Sequence, residues 1–179
     1  MTRLSRVHIS ETTSFKIIGE HYLLHSVQLN RNTSIHVSLL FSTLLFIVSA
    51  NIDARYEQTN YMSDLLKALT PTPSGWCNKT HYCKWNGVVC QYNRVGAITL
   101  PSSSLAGTLP PYITVLTSLT NIDLHNNSLT GPLPEFSELS ALETVYLGHN
   151  NFTSIPEFCF DSSEGLRNLN LSNNLNLSP

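Results

Sequence analysis

The strongest pattern in this chain is a spacing of apolar residues that recurs along its second half. Copies that begin at Leu119, Leu142 and Leu166 follow the order L-x-x-(apolar)-x-L-x-x-N, and a fainter copy begins at Val95. The final leucine of the motif recurs in steps of 24, 23 and 24 residues, at Leu100, Leu124, Leu147 and Leu171. A period of this length is typical of a solenoid, in which each turn buries its apolar side against the next.

Each copy predicts one short strand, because its last two apolar residues are two positions apart and therefore point to the same side. Successive turns would lay these strands in parallel, about 4.8 Å apart, and stack their leucines into one core. Two alternatives, an all-β chain with Leu-rich strands and a chance periodicity of leucine, leave the four in-phase copies unexplained. We therefore predict a repeat region over residues 94–179, with its fourth and last copy truncated.

An asparagine follows the final leucine of the motif by three positions in three of the four copies. These residues are Asn127, Asn150 and Asn174, and Ser103 takes the same place in the first copy. A side-chain amide can both donate to and accept from the backbone groups that a turn leaves without partners. The spacing therefore predicts a structural ladder of stacked asparagine side chains inside the solenoid.

The residues that alternate with the apolar ones predict an outward, concave face for the strands. Those with the most distinctive polar or aromatic side chains are our candidates for contact with a partner: Asp123, His125, Tyr146, Asn121 and Thr144. The simpler interpretation is that they are ordinary solvated strand positions. Asp123 and His125 are neighbours on one strand, but no nucleophile or enclosed pocket is evident beside them, so we predict no catalytic residue.

Ahead of the repeats the apolar spacing changes to that of a helix. Within residues 56–69 four apolar residues recur at i, i+3, i+4 and i+7: Met62, Leu65, Leu66 and Leu69. This spacing predicts one amphipathic helix, which the prolines at positions 71 and 73 would stop. A solenoid needs a lid over the open end of its core, and we predict an N-terminal cap over residues 51–93.

An apolar run over residues 35–48, IHVSLLFSTLLFIV, has the length of a signal-peptide core and is short for a membrane span. Val48 and Ala50 then stand at positions −3 and −1 of a small-residue cleavage site. We predict a signal peptide over residues 1–50, although its n-region of more than thirty residues is unusually long. An uncleaved membrane anchor and a buried core helix stay open as alternatives.

The composition and the asparagines are typical of an extracellular, glycosylated protein. Charged residues make up 12 % of the chain and the formal net charge is −2, which argues against a charged surface for nucleic acid or anionic membrane. N-x-[ST] sequons of the mature part predict N-glycosylation at Asn78, Asn126, Asn151, Asn170 and Asn176.

Three of the four cysteines cluster within residues 77–90. In a secreted chain such a cluster indicates a cap stapled by disulfide bonds. Zinc binding through Cys77, His81, Cys83 and Cys90 is the alternative, but these spacings do not match a paired C-x2-C pattern. We predict no metal and no cofactor.

Two sequence elements resemble the ectodomains of plant leucine-rich-repeat receptors. The first is the G-x-[IL]-P turn at residues 107–110 and 131–134, and the second is C-x-W-x-G-V-x-C at residues 83–90. The resemblance implies a disulfide between Cys83 and Cys90, with Trp85 packed on the first repeat. Cys77 and Cys159 are then left over. We expect them to be free or bound outside the chain, because about three repeats separate them.

Residues 131–160 narrow the resemblance, because their third repeat lacks the turn glycine and is one residue shorter. In this they are similar to the transmembrane-kinase subfamily of plant receptor-like kinases, which is linked to auxin signalling. The resemblance implies an α/β solenoid, a right-handed superhelix of short parallel strands with a helical, disulfide-bonded cap. Members of the subfamily continue into further repeats, a transmembrane helix and a serine/threonine kinase, whose motifs this chain lacks.

The resemblance therefore implies a non-enzymatic recognition module, part of a receptor ectodomain, secreted or at the extracellular face of the plasma membrane. Its partner would be a peptide or protein ligand or a co-receptor, and only a missing C-terminal segment would attach it to the membrane. Two alternatives stay open. One is a secreted leucine-rich-repeat inhibitor or decoy, and the other is a gene fragment without a function of its own.

Overall fold

The computed structural model describes residues 15–17, 20–22, 31–161 and 163–178, with side chains from residue 43 onwards. These residues fall into two compact units that divide between Val48 and Ser49. In the first unit, β1 (Phe15–Ile17) pairs antiparallel with β2 (Glu20–Tyr22). The helix α1 (Arg31–Ala68) crosses the boundary between the two units.

The signal segment predicted over residues 1–50 is described only in part. Its residues 1–14, 18–19 and 23–30 lie outside the described residues, and its apolar run lies within α1. Along the part of the chain that the structure describes, no helix is both long enough and apolar enough to cross a bilayer. The signal peptide and its cleavage site stay a prediction.

The cap helix predicted over residues 56–69 is the C-terminal part of α1, and both of its predicted ends were wrong. The helix begins at Arg31 and continues without a break through residues 31–68, because no glycine or proline interrupts them. It ends at Ala68 rather than Leu69, because Leu69 already belongs to a strand. The predicted apolar face is nevertheless buried, with Met62 at its centre fully inaccessible to solvent.

The second unit is a solenoid of short strands. Its strands among the described residues are β3 (Leu69–Thr70), β4 (Val88–Gln91), β5 (Arg94–Thr99), β6 (Ala106–Gly107), β7 (Asn121–Asp123), β8 (Ser128–Pro132), β9 (Thr144–Tyr146), β10 (Asn151–Ser154) and β11 (Asn168–Asn170). They form a five-stranded sheet of order β4-β5-β7-β9-β11 and a four-stranded sheet of order β3-β6-β8-β10. The cap strand β4 pairs antiparallel with β5, and the cap strand β3 pairs antiparallel with β6. The strands of the repeats pair with each other in parallel.

The core lies between the two sheets and follows the repeat. Ile98, Ile122 and Val145 are in register on neighbouring strands, and none is more than 1 % exposed. Leu169 holds the next position of the same row and is 48 % exposed, because no described strand follows β11. The prediction that one apolar row runs through all copies is confirmed, and its burial depends on a neighbour on both sides.

The turn glycines of the first two copies are required by backbone geometry. Gly107 has φ +110°, and a Cβ built on it would lie 1.9 Å from the carbonyl oxygen of Ala68. Gly131 also has a positive φ, of +82°. The third copy lacks this glycine, and there the pairing of β10 with β8 shifts register between Phe152 and Ser154.

The asparagines of the repeat bridge successive turns. Nδ2 of each amide donates to the carbonyl oxygen of the last strand leucine in its own repeat and of the one in the repeat before, at 2.8–3.1 Å. Oδ1 of each accepts a backbone N–H of the preceding repeat at 2.9–3.1 Å. Asn127, Asn150 and Asn174 thereby fix the position of each strand relative to the last. Among the described residues, the hydroxyl of Ser103 bonds only to the carbonyl oxygen of Pro101.

We expect Gly107→Ala to lower the free energy of unfolding by about 2 kcal/mol or more, because the new methyl group would collide with the Ala68 carbonyl at a strained φ. Gly96→Ala is the matched control, since a Cβ there would meet its nearest atoms at 3.7 and 3.8 Å without a positive φ. Equilibrium urea unfolding measures both variants. Equal destabilisation by the two would contradict the role given to Gly107.

We expect Asn150→Ala to lower the free energy of unfolding by about 3 kcal/mol, because it leaves the buried N–H of Leu129 without a partner and removes one of the two amide donors from the carbonyl oxygens of Leu124 and Leu147. Asn168→Ala removes an exposed amide whose bond to Thr144 Oγ1 is 3.3 Å long, and should change stability by less than about 0.5 kcal/mol. Denaturant titrations monitored by circular dichroism compare them. A small loss at Asn150 would mean that water replaces its amide.

Candidate binding surface

The five candidate contact residues form one patch on the outward side of the five-stranded sheet. Asn121 is in register with Thr144, and Asp123 with Tyr146. The residues between them, at positions 122 and 145, point into the core and are buried. His125 follows β7 by two positions and lies beside Asp123. None of the five is buried, so their side chains border solvent.

Asp123 and His125 are joined by a short hydrogen bond. His125 Nδ1 lies 2.6 Å from Asp123 Oδ1, and the backbone N–H of His125 donates to the same oxygen at 3.2 Å. The carboxylate side chain is 17 % exposed and the imidazole 43 % exposed. The pair is therefore held in one orientation at the centre of the patch, with the imidazole towards solvent.

The other polar side chains of the patch bond along the sheet. Asn121 Nδ2 donates to Thr99 Oγ1 at 3.3 Å, and Asn168 Nδ2 donates to Thr144 Oγ1 at the same distance. These bonds link strands β5 to β7 and β9 to β11 by uncharged groups. The flank of the patch is thus neutral and hydrogen-bonded.

Asn170 forms the C-terminal border of the patch, in register with Tyr146. Asn170 Oδ1 accepts from the N–H of Ser172 at 3.0 Å and from its hydroxyl at 2.8 Å. A Cβ built on Gly148 would lie 2.8 Å from the same oxygen, so the Asn170 amide closes over Gly148. Both residues stand in outward columns that the sequence predicts, but their contact was not predicted.

The N-terminal border is a cleft that the sequence also did not reveal. It has a volume of about 550 Å³ and separates the loop after β3 from the first repeat. Among its lining residues are Pro71, Pro73, Asn86, Thr99 and Pro101. No charged residue lines it, and Thr99 belongs both to the cleft and to the outward row of Asp123 and Tyr146.

The five predicted glycosylation sites are all exposed. Asn126 has φ +56°, and its Nδ2 donates to Ser102 Oγ at 2.9 Å. Asn170 is in register with Tyr146 and so stands on the patch itself. Asn78 lies in the cap, and Asn151 begins β10 in the other sheet.

The cap contains the disulfide that the resemblance implied. Cys83 and Cys90 are bonded, with their Cα atoms 5.5 Å apart. Trp85 stacks on Trp76 with ring centroids 4.6 Å apart, and its Nε1 donates to the Cys77 carbonyl oxygen at 3.1 Å. Trp85 is buried in the same core as the first repeat.

The two remaining thiols are free and differ in environment. Cys77 is exposed, and hydrogen bonding to the Thr80 side chain lowers its pKa. Cys159 is buried, its Sγ donates to the Pro134 carbonyl oxygen at 3.3 Å, and burial raises its pKa to about 11. The disulfide takes two of the thiols that the zinc alternative requires. The part of the chain that the structure describes has no group of three His, Cys, Asp or Glu side chains that could hold a metal ion.

Comparison with known proteins places the chain among leucine-rich-repeat receptors. The family described as leucine rich repeat matches residues 117–175. The receptor-like kinase TMK4 of Arabidopsis thaliana is 34 % identical over 128 residues, which are 72 % of this chain and 13 % of TMK4. The receptor-like kinase TMK2 of the same plant is 37 % identical over 135 residues, 73 % of this chain and 15 % of TMK2. The chain thus spans about one seventh of their length.

Solved ectodomains share the fold. The crystal structure of PEPR1-AtPEP1 matches with 30 % identity and a TM-score of 0.58, over 65 % of this chain and 18 % of that chain. The Arabidopsis receptor kinase HAESA, in complex with the peptide hormone IDA and the co-receptor SERK1, matches with 27 % identity and a TM-score of 0.52, over 65 % and 21 %. The chain belongs to the leucine-rich-repeat receptor-like kinase family and corresponds to part of an ectodomain of the TMK type.

Proposed function

We propose that the outward side of the five-stranded sheet binds a peptide or protein partner, a ligand or a co-receptor, at the cell surface. The observation that carries the proposal is the in-register patch of Asp123, Tyr146, Asn121 and Thr144, to which His125 adds an imidazole. These side chains point away from the core, so their chemistry is free to vary without cost to folding.

The arrangement suits binding better than catalysis. The Asp123 carboxylate orients the His125 imidazole, but the sheet is open on this side and gives no enclosed site in which to exclude water. The matched part of the chain is a repeat region, and the proposed activity is recognition only.

The structural relatives support a partner of this kind. HAESA is described in complex with a peptide hormone and a co-receptor, and its ectodomain shares the fold of this chain. A solenoid sheet offers an extended partner one side chain per strand at regular spacing. We carry the class of partner over to this chain, not its identity.

Secretion and glycosylation belong to the same proposal. A disulfide in a small cap suits an oxidising compartment, and the five sequon asparagines are accessible. A glycan on Asn170 would stand in register with Tyr146 and cover the C-terminal part of the patch. A partner would then approach from the side of β5 and β7.

To test the proposal, the full chain is screened against a panel of plant leucine-rich-repeat ectodomains and a displayed library of linear peptides. We expect the double variant Asp123→Asn and Tyr146→Ser to raise the Kd for any partner at least tenfold, about 1.4 kcal/mol, because the binding energy of an interface is concentrated in a few side chains.

The control pair, Thr130→Ala and Thr153→Ser, changes exposed strand positions of the four-stranded sheet, keeps the sequon of Asn151 and should leave binding unchanged. A partner that tolerates the first pair and is lost with the second would place recognition on the opposite side. Absence of any partner in both screens would count against a recognition function.

A further inference from the structure

The charge on the outward side of the five-stranded sheet is concentrated at one residue. Three columns of outward residues cross β5, β7, β9 and β11, and they start from positions 97, 99 and 101. These columns contain one carboxylate, that of Asp123, and no lysine or arginine. Charged side chains nearby lie outside these columns, since Glu143 and Arg167 precede their strands and Arg94 is the first residue of β5. A partner that lies along the sheet therefore meets a single negative centre in neutral surroundings.

The Asp123 carboxylate has an unused acceptor. Oδ1 is occupied by the Nδ1 and the backbone N–H of His125, and no described residue donates a hydrogen bond to Oδ2. The side chain is only 17 % exposed, so water and salt screen it less than they screen a surface carboxylate. A cationic donor placed at Oδ2 would gain more there than on an open surface.

An aromatic ring stands next to this acceptor. Tyr146 is in register with Asp123 on the adjacent parallel strand, at a spacing of about 4.8 Å between strands. The Tyr146 side chain is 37 % exposed, so part of its ring is open to a partner. The face of such a ring attracts ammonium and guanidinium groups. The carboxylate and the ring together suit a basic side chain better than a neutral one.

The surroundings indicate what else the partner carries. On the N-terminal side, Thr99 is in register with Asp123. Thr99 also lines the uncharged cleft of about 550 Å³ between the cap and the first repeat. On the C-terminal side, the amide of Asn170 is fixed by Ser172 and closes the row. An extended segment could place one basic residue at Asp123 and its uncharged neighbours in the cleft.

From these contacts we infer that Asp123, Tyr146 and His125 form an acceptor for one arginine or lysine side chain of an extended peptide with uncharged neighbours. Asp123 Oδ2 receives the cationic donor, Tyr146 stacks on it, and His125 holds the carboxylate in place. This inference rests on the proposed recognition function and specifies the chemistry of its partner.

The test sorts a displayed library of random linear 12-residue peptides on the full-length chain. We expect the wild type to enrich peptides with a single Arg or Lys, and Asp123→Asn to lose that preference and to bind the enriched peptides about tenfold more weakly or worse. Tyr146→Ser should weaken them about twofold to fivefold, and Tyr146→Phe should keep most of the affinity.

Glu138→Gln is the matched control. It removes the same negative charge from an exposed residue in the loop between β8 and β9, and it should retain the preference. Circular dichroism melting of each variant confirms that it is folded before sorting.

Three results would overturn the inference while leaving recognition intact. The first is a basic preference shared by the wild type and Asp123→Asn. The second is enrichment of peptides without a basic residue. The third is an ectodomain partner that depends on the patch, without any enriched peptide. If neither the peptide library nor the ectodomain panel yields a partner for the folded wild type, both the inference and the proposed function fail.

Discussion

The buried hydrogen bonds of the asparagine amides are the constraint on which the rest of this structure depends. A chain that turns once per repeat must end its strand inside the core. The turn leaves backbone carbonyl and N–H groups there without partners, and water cannot reach them. Asn127, Asn150 and Asn174 satisfy these groups, and each does so across the boundary between two repeats. Local backbone satisfaction and the stacking of repeats are therefore one interaction.

From this stacking follows the register of the outward side chains. Because each amide fixes its strand relative to the previous one, Asp123 has Tyr146 as its neighbour and Asn121 has Thr144. The alternation of the strands then separates two tasks. Ile122 and Val145 stabilise the fold from inside, while the residues beside them are free to carry binding chemistry on the outside. A recognition surface can change in such a solenoid without disturbing the core.

The cap solves the problem that a stack of repeats has at its end. At the N-terminal end the apolar face of α1, the Trp76–Trp85 pair and the antiparallel strands β3 and β4 cover the first repeat. The disulfide between Cys83 and Cys90 staples the loop that carries Trp85. Leu169, in the last strand that the structure describes, is 48 % exposed although its partners in the row are buried, because no described strand covers its far side.

The sequence by itself determined the features that depend on local spacing. Its period placed the repeat strands of the five-stranded sheet, the apolar rows, the ladder and the in-register candidate residues, because side-chain direction in a strand alternates with every residue. It did not predict the four-stranded sheet. The disulfide was implied by the resemblance of the cap motif to plant receptor ectodomains. The tertiary structure decided what depends on contacts between distant segments. The helix ends at Ala68 because Leu69 pairs with Gly107, far along the chain. The cleft lies where the loop after β3 comes together with Thr99 and Pro101 of the first repeat. The border of the patch exists because the Asn170 amide closes over Gly148 in the previous repeat. No repeat pattern records these contacts, because each one joins residues that periodicity treats as independent.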